Sequence, residues 1–267
     1  GFLIGGTAGR TTLNGEGLQH QDGNSLLMAT NVPNCVSYDP TYAYELVVIV
    51  REGLRRMVAE QERVFFYVTV MNENYSHPPM PSGVEEGILK GMYLLREAGD
   101  KGGLRVQLLG SGTILREVEA AATILEAEYK VGADVWSVTS FTELGRDGRD
   151  TERWNRLHPE SDPRKAYVQS LLEAQEGPVI AATDHVAGYV DQIRAYVPEK
   201  LTVLGTDGFG RSDSRESLRA FFEVDRHQVV VAALKALCDR GEIEASVVSE
   251  ALRRFEIDPE SPSPRLM

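Results

Sequence analysis

The chain has 267 residues, enough for one large domain or two moderate ones, and its 42% hydrophobic content suits a globular protein with a sizeable core. A formal net charge of −12 repels nucleic-acid phosphates and anionic lipid headgroups, and no basic stripe reverses this locally. No apolar run approaches the roughly 20 residues that a membrane-spanning helix needs, so neither a nucleic acid nor a membrane is an expected partner.

The chain begins at Gly1, not Met, and enters an apolar strand-like run, Phe2-Leu3-Ile4, with no basic leader. This suggests a piece cut from something longer. The next stretch, Gly5–Gly23, holds six glycines around His20, with Glu16 and Asp22 on either side. It has no apolar periodicity, so it reads as a loop, either an ordinary connection or one that brings its backbone close to a ligand. Residues 34–38 read as a short strand between Pro33 and Pro40. Over residues 41–60, Leu46, Ile49, Val50, Leu54 and Met57 recur at helical spacing. Residues 64–70, VFFYVTV, have the near-continuous apolar character of a strand buried on both faces. The proline-rich segment 72–83 is the best domain boundary; His77 within it is expected in solvent, with no role.

A second α/β unit follows. Strands are expected at 106–109, 134–138, 178–182 and 201–204. Helices are expected after Gly112, with Leu115, Val118, Ala122, Leu125 and Tyr129 on one face, and at 166–174, 186–196, 229–240 and 246–255. Residues 146–165 read as a long polar connection with a helical piece near 153–157. Ser214 is placed to cap a helix starting at Arg215, and Gly241 to stop the one before it. Strands alternating with helices imply a mostly parallel sheet covered on both faces.

Several motifs invite chemistry. Gly110-Ser111-Gly112 imitates the start of a dinucleotide loop, but Leu115 stands where a third glycine belongs, so a tight turn is the better account. Gly205–Gly210 imitates a phosphate cradle, although Asp207 would repel a phosphate; a turn packed by Phe209 is expected instead. Arg211, Asp213, Arg215 and Glu216 read as a solvated charge cluster. His158, His185 and His227 lack partners at metal-ligand spacing and read as surface or cap residues, so no metal site is expected. Cys35 and Cys238 fit no metal or redox spacing and are expected as reduced thiols. His20 is left as the best catalytic candidate, its imidazolium form favoured by Glu16 and Asp22.

The segments GGTAGRTTLNGEGLQHQDG, NCVSYDPTYAYE, MNENYSHPPMP, LLGSGTILREV, DVWSVTSFTELGRDG and VLGTDGFGRSDSRESLRAFFEVD together resemble the homodimeric bacterial type of pyruvate dehydrogenase, the thiamin-dependent first component of its complex. The resemblance runs over essentially the whole chain and corresponds to the last third of such an enzyme. It implies an α/β fold: residues 1–80 as the end of a middle, pyrimidine-binding domain, then residues 82–267 as a transketolase C-terminal-like domain with a mostly parallel sheet. It implies thiamin diphosphate and magnesium in the full-length enzyme, with their main binding motifs, and the glutamate that activates the cofactor, outside this chain. It implies that His20, in the GEGLQH motif, is catalytic and that Glu16 is its active-centre neighbour. The family commonly has a glutamate where Gln21 stands and a second histidine where Asn24 stands, so a two-histidine site is not expected. Implied partners are the enzyme's own N-terminal and middle domains, a second subunit and the dihydrolipoyl acetyltransferase component, in the cytoplasm. The isolated chain is expected to have no turnover. An assembly module, or a related enzyme acting on another 2-oxo acid or a ketose, is the alternative.

Overall fold

The apolar run at residues 64–70 becomes the central strand of a small parallel sheet in the computed structural model, which describes residues 1–6, 8–99 and 103–267; Thr7 of the glycine-rich run lies outside them. β1 (Phe2–Gly5) and β2 (Cys35–Tyr38) flank β3 (Phe65–Thr69), so that Ile4 and Tyr38 both stand level with Val68. Helix α1 (Ser25–Ala29) precedes β2, and α2 (Ala43–Leu54), prolonged to Ala59 by a wider turn, packs on one face of the sheet. The edge strand β1 leaves Leu3 and Ile4 exposed.

Helix α3 (Glu85–Lys90) leads into a five-stranded sheet ordered β4-β6-β5-β7-β8. Its strands are β4 (Met92–Arg96), β5 (Arg105–Gly110), β6 (Gly132–Val138), β7 (Val179–Ala182) and β8 (Leu201–Leu204). All pairings are parallel except that of β4 with β6. The helices of this unit are α4 (Leu115–Ile124), α5 (Phe141–Leu157), α6 (Tyr167–Leu172), α7 (Ala187–Val190), α8 (Arg215–Phe221), α9 (Arg226–Asp239) and α10 (Ala245–Arg254). Alternation along the strands separates two cores. Val106, Leu108 and Ile180 face α4 and α9, whereas Leu109, Trp136 and Ala181 face α5, α6 and α7. The second core also takes in Cys35 of β2 and Tyr67 of β3, so the two sheets share buried apolar surface, at roughly 1.5–3 kcal/mol for each large side chain fully removed from water.

Helices α1 and α3 have no counterpart in the sequence reading, and two further elements also depart from the expected order. The antiparallel strand β4 has no counterpart in the sequence reading, because Met92–Arg96 is too short and mixed to stand out from its surroundings. More notably, α5 runs 17 residues where a long connection was expected. Ser140 caps it by accepting from the Glu143 backbone N–H at 3.0 Å. Gly145 and Gly148 lower its apparent helicity, yet they let Gln192 and Tyr196 approach the helix closely. Cys35 is buried, Cys238 is half-buried, and both are free thiols.

Buried polar side chains also cross the seam between the sheets. Glu45, in the first turn of α2, is buried and accepts four hydrogen bonds: from the backbone of Thr41 (2.6 Å) and Tyr42 (2.9 Å), and from Tyr93 (2.7 Å) and Ser137 (2.6 Å) across the seam. Burial pushes its pKa up, and the four donors act against that rise. Asp39, just after β2, accepts from Thr69 Oγ1 at 2.6 Å and Ser111 Oγ at 2.9 Å, and its carboxylate lies 3.8 Å from His185 Nε2. Burial alone would raise Asp39, but His185, Thr69 and Ser111 outweigh it and hold it below its ordinary value. His185 is correspondingly raised despite its own burial. Gly112 holds φ +50, with Asp39 Oδ1 only 2.7 Å from where a Cβ would stand. The Gly110-Ser111-Gly112 turn therefore docks against Asp39.

Asp184 follows β7 in the same seam. It accepts from the Thr11 N–H at 3.2 Å through Oδ2, while Oδ1 has no partner among the described residues. Burial drives its pKa up to about 6, against the opposing pull of His185 and Thr11.

Glu45 and Asp184 give opposite tests. Glu45→Ala strands four donors, two of them backbone N–H groups, and is expected to lower stability by about 3 kcal/mol, with Glu45→Gln losing less. Urea denaturation reads this, and an alanine variant within about 1 kcal/mol of the parent contradicts it. Asp184 keeps its proton to about pH 6 when folded but only to about pH 4 when unfolded. Its contribution to stability therefore falls as pH rises through that window. Asp184→Asn is expected to match the parent near pH 4 and to exceed it above pH 6, by on the order of 2 kcal/mol. Equal destabilisation at both pH values contradicts this.

Candidate functional site

In a parallel sheet all the carboxyl ends of the strands open on one edge, which is where α/β proteins place ligands. Three segments leave the small sheet there. Asp39 follows β2, residues 71–73 follow β3, and the glycine-rich loop follows β1. That loop is pinned at its base. The backbone N–H of Arg10 donates to Asp184 O at 3.3 Å, Thr12 Oγ1 donates to Ala8 O at 2.9 Å, and Gly9 pairs with Asp22 across an antiparallel bridge. Gly9 holds φ +87, with the Asp184 carboxylate in the space a Cβ would fill, so only glycine lets the backbone pass so close.

Beyond this base the loop rises into solvent. Leu18–His20 form a single tight turn closed by His20 N–H to Gly17 O at 3.0 Å. Glu16 and His20 are both exposed, and among the described residues neither side chain hydrogen-bonds to another protein group. The ring is thus presented at the carboxyl edge, not sealed within packed side chains. Asp22 is not its partner, contrary to expectation. The Asp22 carboxylate accepts from the N–H groups of Asn24 (3.1 Å) and Ser25 (3.0 Å) and from Ser25 Oγ, securing the first turn of α1. Gln21, next to His20, is buried, and its amide has no partner among the described residues; Asn24 is exposed.

The remaining histidines divide. His77 is exposed, as expected, and its Nδ1 accepts from the Ala43 N–H at 3.1 Å. His158 is exposed at the end of α5, and His227 is half-buried against Phe255. His185, expected at the surface or as a cap, is instead 1% exposed. It is buried because the chain leaving β7 turns beneath residues 8–12, and its ring then meets Asp39. The sequence signal for this was Thr183-Asp184-His185 directly after an apolar strand, three polar residues where the fold had room only for buried ones.

The second glycine-rich turn also departs from expectation. Phe209 does not pack; it is 78% exposed. The turn is organised by Asp207, which accepts from the Ala187 N–H at 3.2 Å, and by Gly208 O, which accepts from the Arg10 guanidinium. The charge cluster beyond it is only partly solvated. Arg211 stacks over Phe221, whereas Arg215 reaches Thr12 O at 2.7 Å and Asn72 O at 3.4 Å. Arg219, one turn further on, is buried between Glu73 and Glu117 and also donates to Thr11 Oγ1 at 3.3 Å. Burial opposes the ionisation of Glu73, but Arg219 and Arg116 prevail and hold it down at about 2. Among the described residues no three His, Cys, Asp or Glu side chains are grouped to hold a metal ion, and no helix is long and apolar enough to cross a membrane.

Comparison with known proteins gives this edge its context. Residues 1–78 match the family described as pyruvate dehydrogenase E1 component middle domain, and residues 91–225 match the transketolase-like C-terminal domain. The pyruvate dehydrogenase E1 component of Pseudomonas aeruginosa is 64% identical over 99% of this chain, and that of Escherichia coli is 58% identical over 100% of it. The chain spans about 30% of the length of each. The fold is shared with more distant solved structures. A transketolase from Campylobacter jejuni superposes with a TM-score of 0.61 at 20% identity, over 88% of this chain and 31% of its own. One from Leishmania mexicana gives 0.59 at 18% identity, over 97% of this chain and 31% of its own. With one α/β unit matching the end of the middle domain and the other the transketolase-like C-terminal domain, the chain belongs to the pyruvate dehydrogenase E1 component family.

Proposed function

We propose that this chain supplies the substrate-handling edge of a thiamin diphosphate- and magnesium-dependent pyruvate dehydrogenase, with His20 as its catalytic residue and Glu16 as the active-centre neighbour. The single observation that carries this reading is the exposed presentation of His20 at the carboxyl edge, on a loop whose base is firmly held. An exposed imidazole there can donate to, or accept from, a 2-oxo acid brought against it. Glu16, on the same exposed arc, offers a hydrogen-bond acceptor.

Among the described residues no three His, Cys, Asp or Glu side chains are grouped to hold a metal ion. The cofactor, which serves as electron sink for the carbanion chemistry, is on this reading held by polypeptide outside this chain. On this reading residues 1–80 close the middle domain and residues 82–267 form the C-terminal domain. The partners are the enzyme's other domains, a second subunit and the acetyltransferase component that receives the acetyl group.

One observation also favours an assembly role. Val47, Leu54 and Val58 are 65%, 50% and 68% exposed and fall on one side of α2 and its continuation. Such an apolar stripe suits burial against the second subunit.

Two experiments on the full-length enzyme check these readings. His20→Ala is expected to reduce pyruvate decarboxylation by on the order of 10²-fold or more while leaving thermal stability near the parent's, because the ring is exposed. Full turnover in that variant removes the catalytic assignment. For assembly, Val47→Asp combined with Leu54→Asp is expected to shift sedimentation from dimer toward monomer; an unchanged dimer dismisses the stripe as its interface.

A further inference from the structure

We propose that Arg215, in the C-terminal unit, is a positioning residue that sets where His20 stands. The inference rests on the reading of His20 given above. It extends that reading to the C-terminal unit.

The geometry is a clamp across one edge. The Arg215 Nε donates to Thr12 O at 2.7 Å, within the loop that follows β1. Its Nη2 donates to Asn72 O at 3.4 Å, within the segment that follows β3. One planar guanidinium thus ties together two neighbouring exits at the carboxyl edge, which its rigid fork of donors suits and a flexible ammonium does not. The backbone at the same place adds two more links. The Arg215 N–H donates to Asn14 Oδ1 at 3.2 Å, and the Gly15 N–H donates to Asp213 O at 2.9 Å. On the far side of the arc, the Val186 N–H donates to Gly23 O at 2.9 Å. Every one of these partners lies in the C-terminal unit. They grip the loop at Thr12–Gly15 and again at Gly23, leaving the arc from Glu16 to His20 to project between two fixed points.

Arg219 also reaches this loop, but it lies between two buried carboxylates, Glu73 and Glu117. Its removal would leave both without their cation and would confound positioning with folding. Arg215 is only half-buried and has no carboxylate partner among the described residues, so its loss isolates the loop contacts.

The test is a double-mutant cycle in the full-length holoenzyme, with pyruvate turnover and thermal midpoint both measured. Arg215→Met is expected to lower kcat about tenfold or more, as misplacement of a catalytic group does. It should leave the midpoint close to the parent's and cause no further loss when combined with His20→Ala. Arg215→Lys, which can still reach Thr12 O, is expected to recover part of the loss. Asn14→Ala removes the partner of the Arg215 backbone and serves as a second, milder variant should Arg215→Met fold poorly; its smaller loss must likewise vanish in the His20→Ala background. Parental kcat in Arg215→Met, or the same fold-loss with and without His20, overturns the proposal. If His20→Ala itself keeps full turnover, the catalytic reading fails and this inference falls with it. If His20→Ala is crippled and Arg215→Met is not, only this inference fails.

Discussion

Two carboxylates buried in the seam, Glu45 and Asp39, govern how this molecule is put together. A charge removed from water must find enough donors to replace its hydration, or it will not stay there. Glu45 obtains two of its donors locally, from the start of its own helix, and two from the opposite sheet. Asp39 divides its donors in the same way, between Thr69 beside it and Ser111 across the seam. Neither group is satisfied by its own unit alone. The two sheets are therefore matched by hydrogen-bond geometry as well as by shared apolar packing, and a slip of one against the other would leave a dry, unsatisfied acid.

That matching bears on the functional edge. The loop carrying His20 has no apolar residue buried along its exposed arc to fix it. It takes its position from groups that belong to the other unit: Asp184 beneath it, Arg215 and Arg219 beside it, and Val186 at its exit. The C-terminal unit then acts as the frame against which a mobile-looking stretch of glycines is held in one place.

Much of the architecture was readable from the residues. The strand at 64–70 announced itself by a near-continuous apolar run, and helices α2 and α4 by their periodicity, because each of these signals is local. What stayed hidden was set by distant partners. Helix α5 carries glycines that look like breakers until Gln192 and Tyr196 are seen packed against them. The burial of His185 depends on the loop from β1 lying over it, and a sequence read in order cannot bring residues 8–12 to residue 185. His20 stands out in the sequence through its motif. Its supports were missed because Arg215 sits within a run of charges that resembles any solvated helix start, and only the fold distinguishes the one that bridges two strand exits from its neighbours.

The edge strand β1 has one further consequence. It meets β3 on one side only, and Leu3 and Ile4 are exposed. An open row of amide and carbonyl groups beside bare aliphatic side chains is a template for another strand. Handled apart from the rest of its enzyme, this polypeptide carries a built-in tendency to self-associate through backbone pairing at high concentration, independent of any interface the complete protein uses.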